Sequence, residues 1–346
     1  MDKPAYIAVI PSAGFSHFAP ILHFSKRLVE FHPHFHVTCL VPSIGSLPTN
    51  SKAILHTLPP NINPILLPPF NLNHLPQGLS VVLQIQRAMR LMMPSIHQIL
   101  KSITSNNPHV AMVVDSFACG ALDFAHEFNM LSYVYFPSSA TTLSTHFYLP
   151  KLDEETSCEY RDLPCPIEVP GCVPFHGRDL YIQAQDRKRE LYKVSLERYR
   201  RFLSVDGIIM NSFLALETGP LRALKDEGRA YPPVYPIGPI VKTGTDSAQG
   251  LECLTWLDKQ QVGSVLYVSF GSGGTLSQEQ MNELACGLEL SNHKFLWVVR
   301  APNNAENSLY LSEQKCVDPV QFLLSGFLER TKEQGVVIPS WCRFTE

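Results

Sequence analysis

The chain has 346 residues, 17% of them charged and 45% hydrophobic, with a formal net charge of −3. That length suggests two domains, and the composition is too apolar for a disordered chain. No basic stripe is available to neutralise phosphates, which argues against nucleic acid as the main partner. No apolar run reaches the roughly 18 residues of a membrane-spanning helix.

The chain opens Met1-Asp2-Lys3-Pro4 and passes directly into an apolar run at residues 5–10. That run is too short, and wrongly flanked, for a secretory leader, so a cytoplasmic protein is expected. Residues 6–10 read as a buried strand. Ile21, Leu22, Phe24, Ser25, Leu28 and Val29 then follow a helical stripe. Residues 35–41, rich in β-branched and aromatic side chains, read as a second strand. A long Pro- and Asn-rich connection covers 42–78, followed by a helix near 81–93. Residues 109–114 are a third strand, 118–128 a helix and 132–136 a strand. Apolar strands alternating with helices predict a parallel sheet covered on both faces.

Residues 148–174 read as loop. Residues 187–202 read as a charged, exposed helix. Its Arg187, Lys188, Arg189, Arg198, Arg200 and Arg201 alternate with acids, which fits a solvated face better than a binding patch. A strand at 207–211, a helix at 216–226 and a strand at 235–240 complete a first domain, residues 1–241. The aperiodic stretch 242–250 reads as a linker. The second domain, 251–346, holds the clearest unit. A buried strand at 264–270 runs into Gly271-Ser272-Gly273-Gly274-Thr275, then a helix carrying Met281, Leu284, Ala285 and Leu288, then a strand at 295–299. Ser277 and Gln280 fit a capping box at that helix start. The nine cysteines are scattered without a CxxC pair. Cys158, Cys165 and Cys172 have no histidine at metal spacing, so free thiols and no metal are expected.

Three places could carry chemistry. The loop Pro11-Ser12-Ala13-Gly14-Phe15-Ser16-His17 ends at a helix start on the C-terminal edge of a parallel sheet, where ligands bind in open α/β folds. His17 could serve there as a general base; taken alone, a loop histidine is more often a surface or capping residue. Asp115, at the end of its strand, could orient His17 by accepting its Nδ1–H, or simply cap the next helix. The turn 271–275 presents backbone N–H groups and the hydroxyls of Ser272 and Thr275 at a helix N-terminus, which favours phosphate. It matches neither GxGxxG nor a Walker A loop, and as a bare motif it reads equally well as a plain turn. No Gly-x-Ser-x-Gly elbow is present, which disfavours a covalent hydrolase. The first loop lacks GxGxxG as well, which disfavours a nicotinamide-dependent oxidoreductase.

Taken together, Pro-Ser-x-Gly-x-x-His at the first loop, Val114-Asp115, Pro170-Gly171, Tyr235-Pro236-Ile237-Gly238-Pro239, Trp256-Leu257-Asp258, Phe270-Gly271-Ser272 and Phe295-Leu296-Trp297-Val298-Val299-Arg300 resemble the plant family of UDP-dependent glycosyltransferases. Within it the chain looks most like the hydroquinone branch. The resemblance implies a GT-B fold: two Rossmann-like α/β domains, the first receiving a small phenolic acceptor and the second UDP-glucose. It implies His17 as general base and Asp115 as its partner. It further implies Ser12, Gly271, Ser272, Gly273 and Trp341 on the donor side, and Ser116, Phe117 and His146 lining the acceptor pocket. UDP-sugar is then a co-substrate, no metal or other cofactor is expected, and the chain is expected to act as a monomer. Ser16 stands where many relatives carry Gly.

Relatives continue beyond a tryptophan like Trp341 with Ala-Pro-Gln and later a His-Cys-Gly-Trp-Asn-Ser stretch. This sequence reads Trp341-Cys342-Arg343-Phe344-Thr345-Glu346. The resemblance therefore implies an incomplete second domain, weak donor binding and, for this chain alone, impaired or absent transfer. The alternative is a non-catalytic product that binds acceptors or a partner chain.

Overall fold

The computed structural model describes residues 4–71, 79–107, 110–226, 228, 230–241, 248–271, 276–302 and 318–339. The chain divides into two compact units, Met1–Ile240 and Val241–Glu346.

The first unit is built on seven strands: β1 (Ala5–Ile10), β2 (Phe35–Val41), β3 (Ile62–Leu66), β4 (Val110–Asp115), β5 (Leu131–Phe136), β6 (Gly207–Met210) and β7 (Val234–Pro236). They lie in the order β3-β2-β1-β4-β5-β6-β7, and every neighbouring pair is parallel. The helices are α1 (Phe15–Phe31), α2 (Thr49–His56), α3 (Val81–Asn106), α4 (Leu122–Glu127), α5 (Ala140–Glu155), α6 (Glu190–Phe202) and α7 (Thr218–Leu224). Central strands are apolar because helices cover both faces. Val9, Val37 and Cys39 pack with Ile21 and Leu22 of α1 in one core.

Several expected elements differ. The connection 42–78 contains α2 and β3. Asn63 and Pro64 interrupt the apolar pattern of β3, which is tolerable because it is an edge strand. Helix α3 runs through Pro94 to Asn106, since Ile96 and Leu100 continue its buried face. Residues 140–155, partly assigned to loop, form α5. Leu143, Phe147, Leu149 and Pro150 are all buried, so no single stripe marks it. The strand expected at 235–240 stops at Pro236. Helix α6 is not simply solvated: Tyr192, Ser195, Leu196, Arg198, Tyr199 and Phe202 are buried.

Between α5 and α6 the chain is fastened by Arg187. Its guanidinium donates to the Asp153 carboxylate at 2.8 Å and 3.0 Å, to the Asp153 carbonyl at 2.7 Å and to the Cys158 carbonyl at 2.6 Å. It also lies 4.9 Å from the centre of the Tyr160 ring. The Tyr160 and Tyr192 hydroxyls are 2.6 Å apart, and Tyr192 donates to Asp153 at 2.7 Å. Gly177 sits against the Tyr160 carbonyl so closely that a Cβ would collide with that backbone.

The second unit holds α8 (Ala248–Leu257), β8 (Val265–Val268), α9 (Gln278–Ser291), β9 (Lys294–Val299), α10 (Phe327–Thr331) and β10 (Gly335–Pro339). Its sheet is parallel in the order β10-β9-β8. The expected capping box closes the start of α9: Ser277 N–H donates to Gln280 Oε1 at 2.9 Å, and Gln280 N–H to Ser277 Oγ at 3.2 Å. Met281, Ala285 and Leu288 then pack on Phe295, Trp297, Val299 and Phe327. The strand expected to be buried at 264–270 is shorter and lies at the sheet edge. Leu266 and Tyr267 of β8 are 53% and 51% exposed. Of the expected linker 242–250, residues 242–247 lie outside the described residues. Residues 248–250 open α8, whose Cys253, Trp256 and Leu257 pack against Leu296, Ile338 and Val265.

Candidate functional site

Strand order in the first unit reverses between β1 and β4, so the loops leaving their C-terminal ends part there and leave a crevice. Gly14 turns the loop after β1 with φ +137°, a conformation that favours glycine. Helix α1 starts at the next residue, and His17 stands in its first turn. Asp115 is the last residue of β4 and is fully buried.

His17 Nδ1 lies 2.9 Å from Asp115 Oδ2. The other carboxylate oxygen accepts the Phe117 N–H at 3.0 Å. Asp115 thus faces the histidine with one oxygen and closes the turn after β4 with the other; it does not cap the next helix, since the helical turns starting at Cys119 and Leu122 have no side-chain cap. Burial alone would raise the Asp115 carboxyl. The facing charge and hydrogen bond of His17, the adjoining Ser12 hydroxyl and the Phe117 N–H outweigh it and hold the carboxyl below its ordinary range. An ionised Asp115 can only accept from Nδ1–H, so the tautomer that carries its lone pair on Nε2 is the one this contact favours whenever the ring is neutral. The His17 side chain is 20% exposed, whereas its carboxylate partner is fully buried. This is the geometry of a general base held by an acid.

Ser12, expected on the donor side, is fully buried beneath this pair, and its hydroxyl makes no well-aligned hydrogen bond among the described residues. Ser116 is buried next to Asp115. The Phe117 ring meets His17 edge-on at 4.8 Å. His146 of α5 stacks on Tyr199 of α6 at 3.8 Å and meets Tyr181 edge-on at 5.7 Å. The His146 Nδ1 is sealed from solvent without a hydrogen-bond partner among the described residues. Burial, then the charge of Arg198, hold His146 well below its ordinary titration range, so it is neutral.

Arg198 belongs to the same group and escapes a reading of the charge run. Its guanidinium carbon lies 4.6 Å from the Phe117 ring centre and 5.3 Å from that of Tyr199. The signal that finds it is helical spacing. Ser195, Arg198, Tyr199 and Phe202 fall on one stripe of α6, and the other members of that stripe are core residues.

In the second unit, Gly271 has φ +72°, and its carbonyl accepts from Arg300 Nη1 at 3.0 Å. A small cavity of about 20 Å³, room for one water, lies beside it, lined by Ser269, Phe270, Leu276, Met281 and Arg300 among others. Ser272, Gly273 and Trp341 lie outside the described residues. Among the described residues no group of three or more His, Cys, Asp or Glu is placed to hold a metal ion. No helix among them is long and apolar enough to cross a membrane.

No protein-family model matches the chain. A hydroquinone glucosyltransferase from Rauvolfia serpentina is 44% identical over 348 residues, a match covering 100% of this chain and 74% of the relative. Phytolacca americana UGT2, solved with UDP-2fluoro-glucose and pterostilbene, superposes with a TM-score of 0.85 at 40% identity, covering 99% of this chain and 72% of that one. A Polygonum tinctorium UDP-glucosyltransferase that glucosylates indoxyl, solved with 3,4-dichloroaniline, gives a TM-score of 0.85 at 40% identity, covering 98% and 72%. The fold is thus the GT-B α/β type of these transferases. The chain belongs to the plant UDP-glycosyltransferase family.

Proposed function

We propose that the chain transfers glucose from UDP-glucose to a hydroxyl of a small phenol with inversion at the anomeric carbon. The observation that carries this reading is the His17–Asp115 pair at the strand-order reversal, with Nε2 left as the base beside the Phe117 ring. The first unit receives the acceptor and the second the donor, in a cytoplasmic monomer. His17 Nε2 takes the phenol proton as the oxygen attacks the anomeric carbon. The C–O bond to the diphosphate breaks, and UDP leaves with its electron pair. Asp115 stabilises the imidazolium, and the sugar passes through oxocarbenium-like charge. The backbone at Gly271 and the start of α9 are suited to the diphosphate. The hydroquinone in one relative's name and the pterostilbene bound to another support the acceptor class.

The test is product formation from isotope-labelled UDP-glucose and hydroquinone, with the anomeric configuration read by NMR. The expected product is the β-glucoside, lost in His17→Ala. An α-glucoside, or undiminished transfer in His17→Ala, would overturn the mechanism.

A further inference from the structure

The acceptor side of the first unit holds a buried cation without an anion. Arg198 is 8% exposed. Its Nη1 is sealed without a hydrogen-bond partner, and its Nη2 reaches only Ser195 Oγ, at 3.4 Å, among the described residues. None of the ion pairs among the described residues includes it, although Arg187 and Arg201 on either side along the chain are both paired with carboxylates. Burying an unpaired guanidinium is costly, and its planar fork of donors matches a carboxylate. The sealed His146 Nδ1 lies against the same Tyr199 ring, so two unpartnered polar groups converge there.

Their surroundings are aromatic. Arg198 and His17 both lie against Phe117, with the guanidinium 4.6 Å and the imidazole 4.8 Å from its ring centre. Phe117, His146 and Tyr181 remain partly exposed while Tyr199 closes the floor. The base and the cation thus share one aromatic neighbour, and the surrounding rings are suited to a planar aromatic ligand.

We infer that Arg198 is an acceptor-specificity residue that receives a carboxylate, so that the preferred acceptors are hydroxylated aromatic acids, with the hydroxyl turned to His17 and the carboxylate to Arg198. This rests on the acceptor reading of the first unit given above.

The experiment is calorimetric titration of the full chain with 3-hydroxybenzoate, its neutral isostere 3-hydroxybenzamide, and hydroquinone. Wild type, Arg198→Gln and Arg198→Lys are compared. A charge-assisted contact predicts the acid binding on the order of tenfold tighter than the amide in wild type. The ratio falls to about one in Arg198→Gln and recovers in part in Arg198→Lys. A wild-type ratio near one, or a preference that survives in Arg198→Gln, overturns the assignment while hydroquinone binding leaves the acceptor reading standing. Failure of all three ligands to bind overturns both. If neither variant folds, the wild-type ratio still decides, since a value near one rejects a carboxylate site.

Discussion

The two units use the same strand–helix–strand logic to different ends. In the first, the sheet order turns back at β1, and the loops after β1 and β4 deliver His17 and Asp115 to one crevice. In the second, the described strands run β8, β9, β10 without reversal, and one glycine turn after β8 stands by itself. The first sheet buries both faces of its centre, whereas the second shows Leu266 and Tyr267 at an open edge. Parallel strands alone therefore do not bring a histidine and a carboxylate together. A reversal that parts two loops does, and a buried charged pair is stable only where helices close over both sides.

Substitutions can break or sharpen that contrast. The largest effect is expected at the crevice: His17→Ala should lower transfer by about 10²–10⁴-fold, the usual worth of a general base, measured as initial rate with the fold checked by circular dichroism. Next is the core of the second unit. Trp297 is 1% exposed, so Trp297→Ala should cost about 3–5 kcal/mol in chemical denaturation, with the first unit's transition unmoved. In the first unit, Gly177→Ala should cost ~3 kcal/mol by driving a Cβ into the Tyr160 carbonyl.

A smaller, pH-dependent effect belongs to His146, which faces Arg198 and Tyr199 from α6 and Tyr181 from the preceding loop. Its folded pKa lies below the ordinary 6.5. The unfolded chain therefore takes up a proton that the folded chain refuses, and stability present above pH 6.5 is lost as pH falls. His146→Phe should flatten the melting temperature between pH 7 and 5. The Asp115 contribution is lost only lower, below the ordinary carboxylate range of about 4. Least affected should be Leu266→Ser on the open edge, within about 0.5 kcal/mol by the same denaturation.

The sheet of the first unit was legible because β1, β2, β4 and β5 are short apolar runs bounded by polar turns. The His17–Asp115 pair was legible because both residues end a strand or begin a helix on one edge. Helix α5 was not, because its buried residues lie on most sides and leave no period. Nor was β3, whose Pro64 is acceptable only at an edge that tertiary pairing defines. Arg198 was hidden by its neighbours: Arg200 is exposed and Arg201 half-buried on Asp123, and composition cannot tell which arginine of a run turns inward. The exposure of β8 depends on what lies beside it, which a local pattern does not encode. The expectation about the chain's end falls on residues 340–346, outside the described residues.

The Arg187 knot has a thermodynamic meaning for ligand capture. It fastens the loop between α5 and α6 to Asp153 and Tyr192, on the helices that carry His146 and Arg198. Those side chains are ordered before any acceptor arrives, so their conformational entropy is lost during folding rather than on binding. The pocket wall then resembles a preset mould more than an adaptable loop. Selectivity among acceptors should follow shape and charge.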